Sequence, residues 1–241
     1  MYNIKCYTLS QRENMTGQDL RRAREHAGWT QVEAAQRLGL TQAYLSMVER
    51  GHRAVSAKLE TRALAVLEFP ATALPLTNDS TLSLRSGDFQ RDLGALGYPG
   101  FSYLREGPKR NPAQLLFQAL DQPDLDSRVT EALPWMVLTY AEMDWEWLVN
   151  KVKLHDRQNR LGYVVAVANE VLRRRSEEER AQAWRKYEVA LERSRLAMED
   201  TLCHDSLTVA ERNWLRDNRP PEAAHWNLLT DLKADHLAYA A

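Results

Sequence analysis

Between Thr30 and Gly51, helix-start and helix-stop signals follow one another so closely that only two short helices and a sharp turn fit. Thr30 precedes a periodic run and Glu33 follows three residues later. That is capping-box spacing, in which each side chain satisfies a free backbone N–H of the other residue. Ala34, Ala35 and Leu38 then give a small apolar face, with Ala35 small enough for two helices to cross closely. Gly39 ends this first helix, because a residue without a β-carbon takes a left-handed exit at little cost. Leu40 plugs the turn, and Thr41 caps a second helix running from about Gln42 to Arg50, where Gly51 stops it. Leu45 and Val48 face inward on that second helix, and Gln42, Ala43, Tyr44, Ser46 and Met47 take its other side.

Two short helices joined this way form a helix-turn-helix, whose second helix lies in the major groove of a duplex. Gln42, Ala43, Tyr44, Ser46 and Met47 are then the candidates for base edges, although Gln42 also reads as a solvated helix start. Tyr44 suits either the sugar-phosphate backbone or plain surface. Gln31 offers an amide to a phosphate at a helix start, where partial positive charge favours an anion. Thr30, Arg21, Arg50 and Arg53 complete the phosphate-contact candidates. The arginines are either clamps or a solvated basic face, and counterion release makes such contacts the main source of affinity. A further helix begins at Ser56 after the staple residue Val55 and continues through Leu59, Ala63, Val66 and Leu67 to Pro70.

The segment resembles the phage-repressor and Cro-like (XRE-type) helix-turn-helix family. Leu20, Arg24, Gly28, Thr30, Gln31, Ala35, Leu38, Gly39, Thr41, Gln42, Leu45, Ser46, Glu49, Gly51 and Arg53 carry the likeness, over roughly residues 15–70. The resemblance implies a five-helix bundle in which the helix from Ser56 is the fifth. It also implies that Gln31 binds phosphate, that Gln42 reads adenine, and that Arg24 and Glu49 form a structural ion pair. Ala43, Tyr44 and Met47 depart from the family's pattern and leave base preference unread at those steps. Ala43 or Met47 can still meet a thymine methyl.

Charge agrees with a modest binder of nucleic acid. The chain holds 32 Lys+Arg against 33 Asp+Glu, but residues 1–70 carry ten basic and seven acidic side chains, leaving 22 and 26 to the rest. A weakly basic first part on an acidic remainder favours specific contact over indiscriminate coating. The organisation expected is a flexible leader over 1–15, the helix-turn-helix domain over 16–70, a linker over 71–87, and an all-helical domain over 88–241 that dimerises or binds a partner.

Within that last part, Pro112 sits in a first turn, Pro123 and Pro134 separate short segments, and Asp144 caps a helix through Val152. Leu161–Leu172, carrying VVAVA, is a more apolar helix, central to the core. A long charged helix follows from Glu177 to about Asp200, with Glu177, Glu178 and Glu179 at its N-terminus. Thr208 and Glu211 form another capping box, and Pro221 opens a terminal helix holding Trp226, Leu229 and Leu232. The fold class is all-α.

Six of the seven tryptophans lie beyond residue 130 and read mainly as core. Trp145 and Trp147, two residues apart on one helix, cannot both face one interior, so one of them is a candidate partner surface. Catalytic residues are not evident. Cys203 and His204 with His225 and His236 lack structural zinc spacing, and the GALGYPG run lacks the Lys-Ser/Thr of a phosphate loop, so neither metal nor cofactor is expected. Two cysteines, Cys6 and Cys203, fit a reducing cytoplasm, and no apolar run reaches the ~20 residues that cross a bilayer.

These readings lead to a sequence-specific transcriptional regulator, a homodimeric repressor of a palindromic operator in double-stranded DNA. The alternative is an antitoxin that represses its own operon and neutralises a toxin, of nucleotidyltransferase type among others, through its C-terminal helices. That second likeness is loose. A nucleic-acid-directed enzyme is the third and least supported reading.

Overall fold

The structure is a computed structural model describing residues 15–67, 69–76, 86–104, 107 and 109–240. The leader apart from Met15, Cys6, and much of the expected linker lie outside the described residues. The chain divides into two compact units, Met1–Leu82 and Ser83–Ala241.

In unit 1 the described residues form four α-helices: α1 (Gly17–His26), α2 (Gln31–Arg37), α3 (Gln42–Glu49) and α4 (Ala57–Val66). Each begins at a hydroxyl residue whose oxygen accepts the N–H three residues on: Thr16 from Asp19, Thr30 from Glu33, Thr41 from Tyr44, Ser56 from Leu59. Such caps are worth about 0.5–2 kcal/mol each, which matters for helices of seven to ten residues that would not persist alone. The helix from Ser56 is thus the fourth and not the fifth. A single 3₁₀ turn, Ala71–Ala73, follows it at the start of the expected linker.

Leu20, Ala23, Ala34, Leu38, Leu45, Val48 and Ala63 are fully buried and, with Leu59, Leu67 and Phe69, make the core. Val66 is 38% exposed, since Leu67 rather than Val66 turns inward at the end of α4. A β-carbon on Gly17 would sit 1.8 Å from the Val48 carbonyl oxygen, so α1 meets α3 backbone against backbone at that point. Gly39 has φ of 60°, as its turn requires. Arg62 of α4 donates to the carbonyl of Leu38 at 2.7 Å, satisfying an orphan acceptor at the end of α2.

Unit 2 is helical: α5 (Ser86–Leu96), α6 (Pro112–Leu120), α7 (Ser127–Thr139), α8 (Trp145–Leu154), α9 (Gln158–Arg174), α10 (Arg185–Glu192), α11 (Val209–Asn218) and α12 (Pro221–His225). Pro99–Leu104, Glu178–Ala183 and Ala234–His236 are 3₁₀ turns. A two-residue parallel ladder pairs β1 (Asp200–Thr201) with β2 (Leu228–Leu229). Helix α9 is buried along most of its length, leaving Ala166, Asn169, Glu170, Arg173 and Arg174 as its one partly exposed stripe, and α7, α8 and α10 pack round it.

Three expectations fail in unit 2. Pro134 lies inside α7 and does not divide it; buried Leu133, Met136 and Val137 hold the helix across the missing N–H. The long helix from Glu177 breaks at Trp184, whose fully buried indole donates to Asn169 Oδ1 at 2.9 Å and turns the chain before α10. The helix opened by Pro221 ends at His225, because Asn227 adopts φ of 53° and sends Leu228 and Leu229 into the ladder.

Candidate nucleic-acid interface

Helices α2 and α3 pack round the Gly39 turn with Leu38, Leu45 and Val48 inward, which fixes what α3 presents outward. Gln42 and Ala43 are exposed, Met47 is 38% exposed, and Tyr44 is half-buried against the core. Ser46 departs from expectation. At one residue from Leu45 and three from Glu49 it lies on the flank of the inward face, and it is buried. The outward row is therefore Gln42, Ala43 and Met47, edged by Tyr44.

Behind this row runs a line of hydrogen bonds. Arg24 on α1 donates to Glu49 through Nε at 2.7 Å and Nη2 at 3.2 Å, and its Nη1 donates to the carbonyl of Trp29 at 2.8 Å. The Glu49 hydrogen bond outweighs burial and raises the Arg24 pKa further. Such a buried pair, each member satisfied, fixes α1 against α3. Gln31 Nε2 donates to Glu49 Oε2 at 2.8 Å, and Gln42 Nε2 donates to Gln31 Oε1 at 2.9 Å. The family resemblance implied the Arg24–Glu49 pair, but nothing in the sequence signalled the bonds joining that pair to Gln31 and Gln42.

The phosphate-contact candidates divide. Arg50 and Arg53 are exposed beyond the end of α3, and the Arg53 guanidinium lies 5.7 Å from the Tyr44 ring centroid. Arg21 is exposed and pairs with Glu25, one turn on, at 2.8 Å. The Thr30 hydroxyl and N–H both donate to Glu33, at 2.9 and 2.8 Å, bonds that hold the Glu33 carboxyl below its usual pKa. Thr30 thus has its donors committed to the cap. Arg37, which the sequence reading passed over, stacks 3.9 Å from the Trp29 ring centroid.

Residues 20–59 match the helix-turn-helix family model. Neither the curated proteins nor the solved structures yield a match to the chain. The helix-turn-helix match spans α1 to the start of α4 and supports a DNA-binding transcription regulator.

In unit 2 the two candidate tryptophans are placed differently. Trp145 is 3% exposed, stacks on Tyr187 with centroids 5.9 Å apart, and donates to the Ala141 carbonyl. Trp147 is half-buried between Phe117 and Lys151. The exposed tryptophan is Trp214, on α11. Burial drives the Cys203 thiol up to about 12, and among the described residues no three His, Cys, Asp or Glu side chains gather as a metal site would need. No described helix is long and apolar enough to cross a membrane.

Proposed function

We propose that this chain is a dimeric repressor that works by binding alone, reading a palindromic operator with α3 and joining two copies through unit 2. The exposed row Gln42, Ala43 and Met47, held from behind by the buried Arg24–Glu49 pair, carries the reading. A groove-entering helix needs a face of small and hydrogen-bonding groups on a rigid support, and α3 has both. Arg50 and Arg53 supply charge at its C-terminal end, where a phosphate would lie. Dimerisation rests on the general need to reach two half-sites and on the exposed Trp214 of unit 2. That same tryptophan serves the second reading, in which unit 2 holds a toxin. Co-purification of a toxic protein encoded beside this one would favour it.

The test is a gel-shift titration on a site selected from random DNA. Gln42→Ala should lose preference for the selected site over scrambled duplex by about tenfold, the size of one bidentate base contact. Arg53→Ala should weaken both duplexes alike and reduce the salt slope by about one. Unchanged binding by both variants would mean that α3 is not the reading helix.

A further inference from the structure

Two cavities, of about 510 and 690 Å³, open along the partly exposed stripe of α9. Ala166, Pro221 and Glu222 line both, which sets the two side by side. The first holds four cations, Arg173, Arg174, Arg219 and Lys233, against three carboxylates. Glu170 is shared by Arg173 at 2.6 Å and Arg174 at 2.9 Å, and Asp235 is also taken by Arg174. Arg219 reaches Glu199 only at 3.8 Å, and that carboxylate is gripped by Arg216 at 2.7 Å. Lys233 is exposed and makes no ion pair among the described residues. The second cavity is the more apolar, with Val189 and Trp226 in its lining. Its carboxylates Glu188 and Glu192 are engaged by Asn169 and His225, each at 2.9 Å. Glu222, common to both cavities, is exposed and has no ion pair among the described residues.

We propose that the two cavities form one binding site for a free α-amino acid with a large apolar side chain. Its carboxylate lies against Lys233 and Arg219, its ammonium on Glu222, and its side chain over Ala166 and Pro221 towards Val189 and Trp226. Lys233 and Glu222 line one cavity without neutralising each other, and a zwitterion meets both at once. An acid without an amine would leave Glu222 facing an anion. An amine without an acid would leave the excess cations unmatched. A roomy concave site with an apolar body and a few placed polar groups is the usual form of a small-molecule pocket. Arg173 and Arg174 are already clamped by Glu170 and Asp235, so they wall the site rather than close on the ligand. The site lies wholly within unit 2 and stands whether or not α3 enters a groove.

Calorimetric titration of the full chain with L-phenylalanine and L-leucine, beside phenethylamine and phenylpropionate, tests the site. Both amino acids should saturate one site with Kd below about 1 mM. The amine lacks the carboxylate and the acid lacks the ammonium, so each should bind about tenfold more weakly than phenylalanine, one charge-assisted contact apiece. Lys233→Met should lower phenylalanine affinity by about the same factor and bring it within about twofold of phenethylamine. Glu222→Gln should do the same relative to phenylpropionate. Both substitutions fall on exposed side chains, and the comparison of ligands on wild type needs neither of them. Absence of saturable binding by either amino acid overturns the proposal. Phenylalanine binding no tighter than the amine or the acid also overturns it, as does full affinity in both variants, which would put the bound amino acid elsewhere.

Discussion

A guanidinium with no exposed surface is tolerable in unit 2 because every one of its N–H groups has an acceptor. Arg160 Nε and Nη2 grip Asp200 at 2.7 and 2.8 Å, Nη2 also reaches Asp205 at 3.2 Å, and Nη1 donates to the carbonyls of Leu120 and Gln122. The neighbouring Asn159 adds a two-way bond with the backbone of Leu196. Arg160→Met should therefore destabilise unit 2 by about 3–5 kcal/mol in urea titration, because it strands a partly buried carboxylate and two carbonyls. Arg160→Lys should recover little, since a point charge cannot reproduce the fork. A lysine variant within about 1 kcal/mol of wild type would contradict this account.

The same pair sets an acid limit. Burial pushes the Asp200 carboxyl up, but the Arg160 hydrogen bonds outweigh it and hold the pKa below the usual value. A depressed folded pKa gives stability that is complete above the unfolded value, about 3.9, and is lost as pH falls through the folded one. Unit 2 should accordingly melt at lower temperature as pH drops below about 4, and Asp200→Asn should be less sensitive there.

At the scale of elements, α9 has room for nothing more where it meets the segment leading into β2. A β-carbon on Gly162 would stand 2.3 Å from the buried ring of Trp226. Gly162→Ala should cost about 1–3 kcal/mol, the range for overpacking, despite alanine's better helix propensity. Calorimetry of the two proteins would show it, and an alanine variant as stable as wild type would refute the packing.

What the sequence disclosed at this scale follows from what governs each element. The helices of unit 1 are set by residues next to them in the chain: Thr30 and Thr41 start α2 and α3, and Gly39 ends α2, so short-range chemistry located them. The break at Trp184 is set by Asn169 and Trp145, far away in the chain, and EEERAQAWRKYEVALE carries local helical periodicity straight across it. Pro134 shows the converse, a local breaker overruled by burial of its neighbours. At the interface, Ser46 was misplaced because eight residues of helix give too few turns to mark where an inward face stops. The Gln31–Glu49 bond joins residues 18 apart and left no trace in spacing.

For the whole molecule, reading a palindrome demands two α3 helices about 34 Å apart, one turn of duplex. The full chain at tens of micromolar should sediment as a dimer. Insertion of about five base pairs between half-sites, half a turn, should abolish tight binding, because the second helix would then face the wrong side of the duplex. A monomer that binds both spacings equally would remove the dimer from the proposal.

Arg160 and its carboxylate partner Asp205 are separated by 45 residues, and that distance has a consequence on the ribosome. At roughly 5–20 residues per second, the wait between translating one and the other is about 2–9 seconds. Until Asp200 emerges, late in that interval, the nascent α9 holds an unmatched cation that resists enclosure, and Asp205 then completes its partners, so unit 2 cannot close until its final stretch is being made. Unit 1, whose residues all lie earlier in the chain, is complete before then, which in the dimer proposed above puts recognition ahead of pairing in the order of assembly.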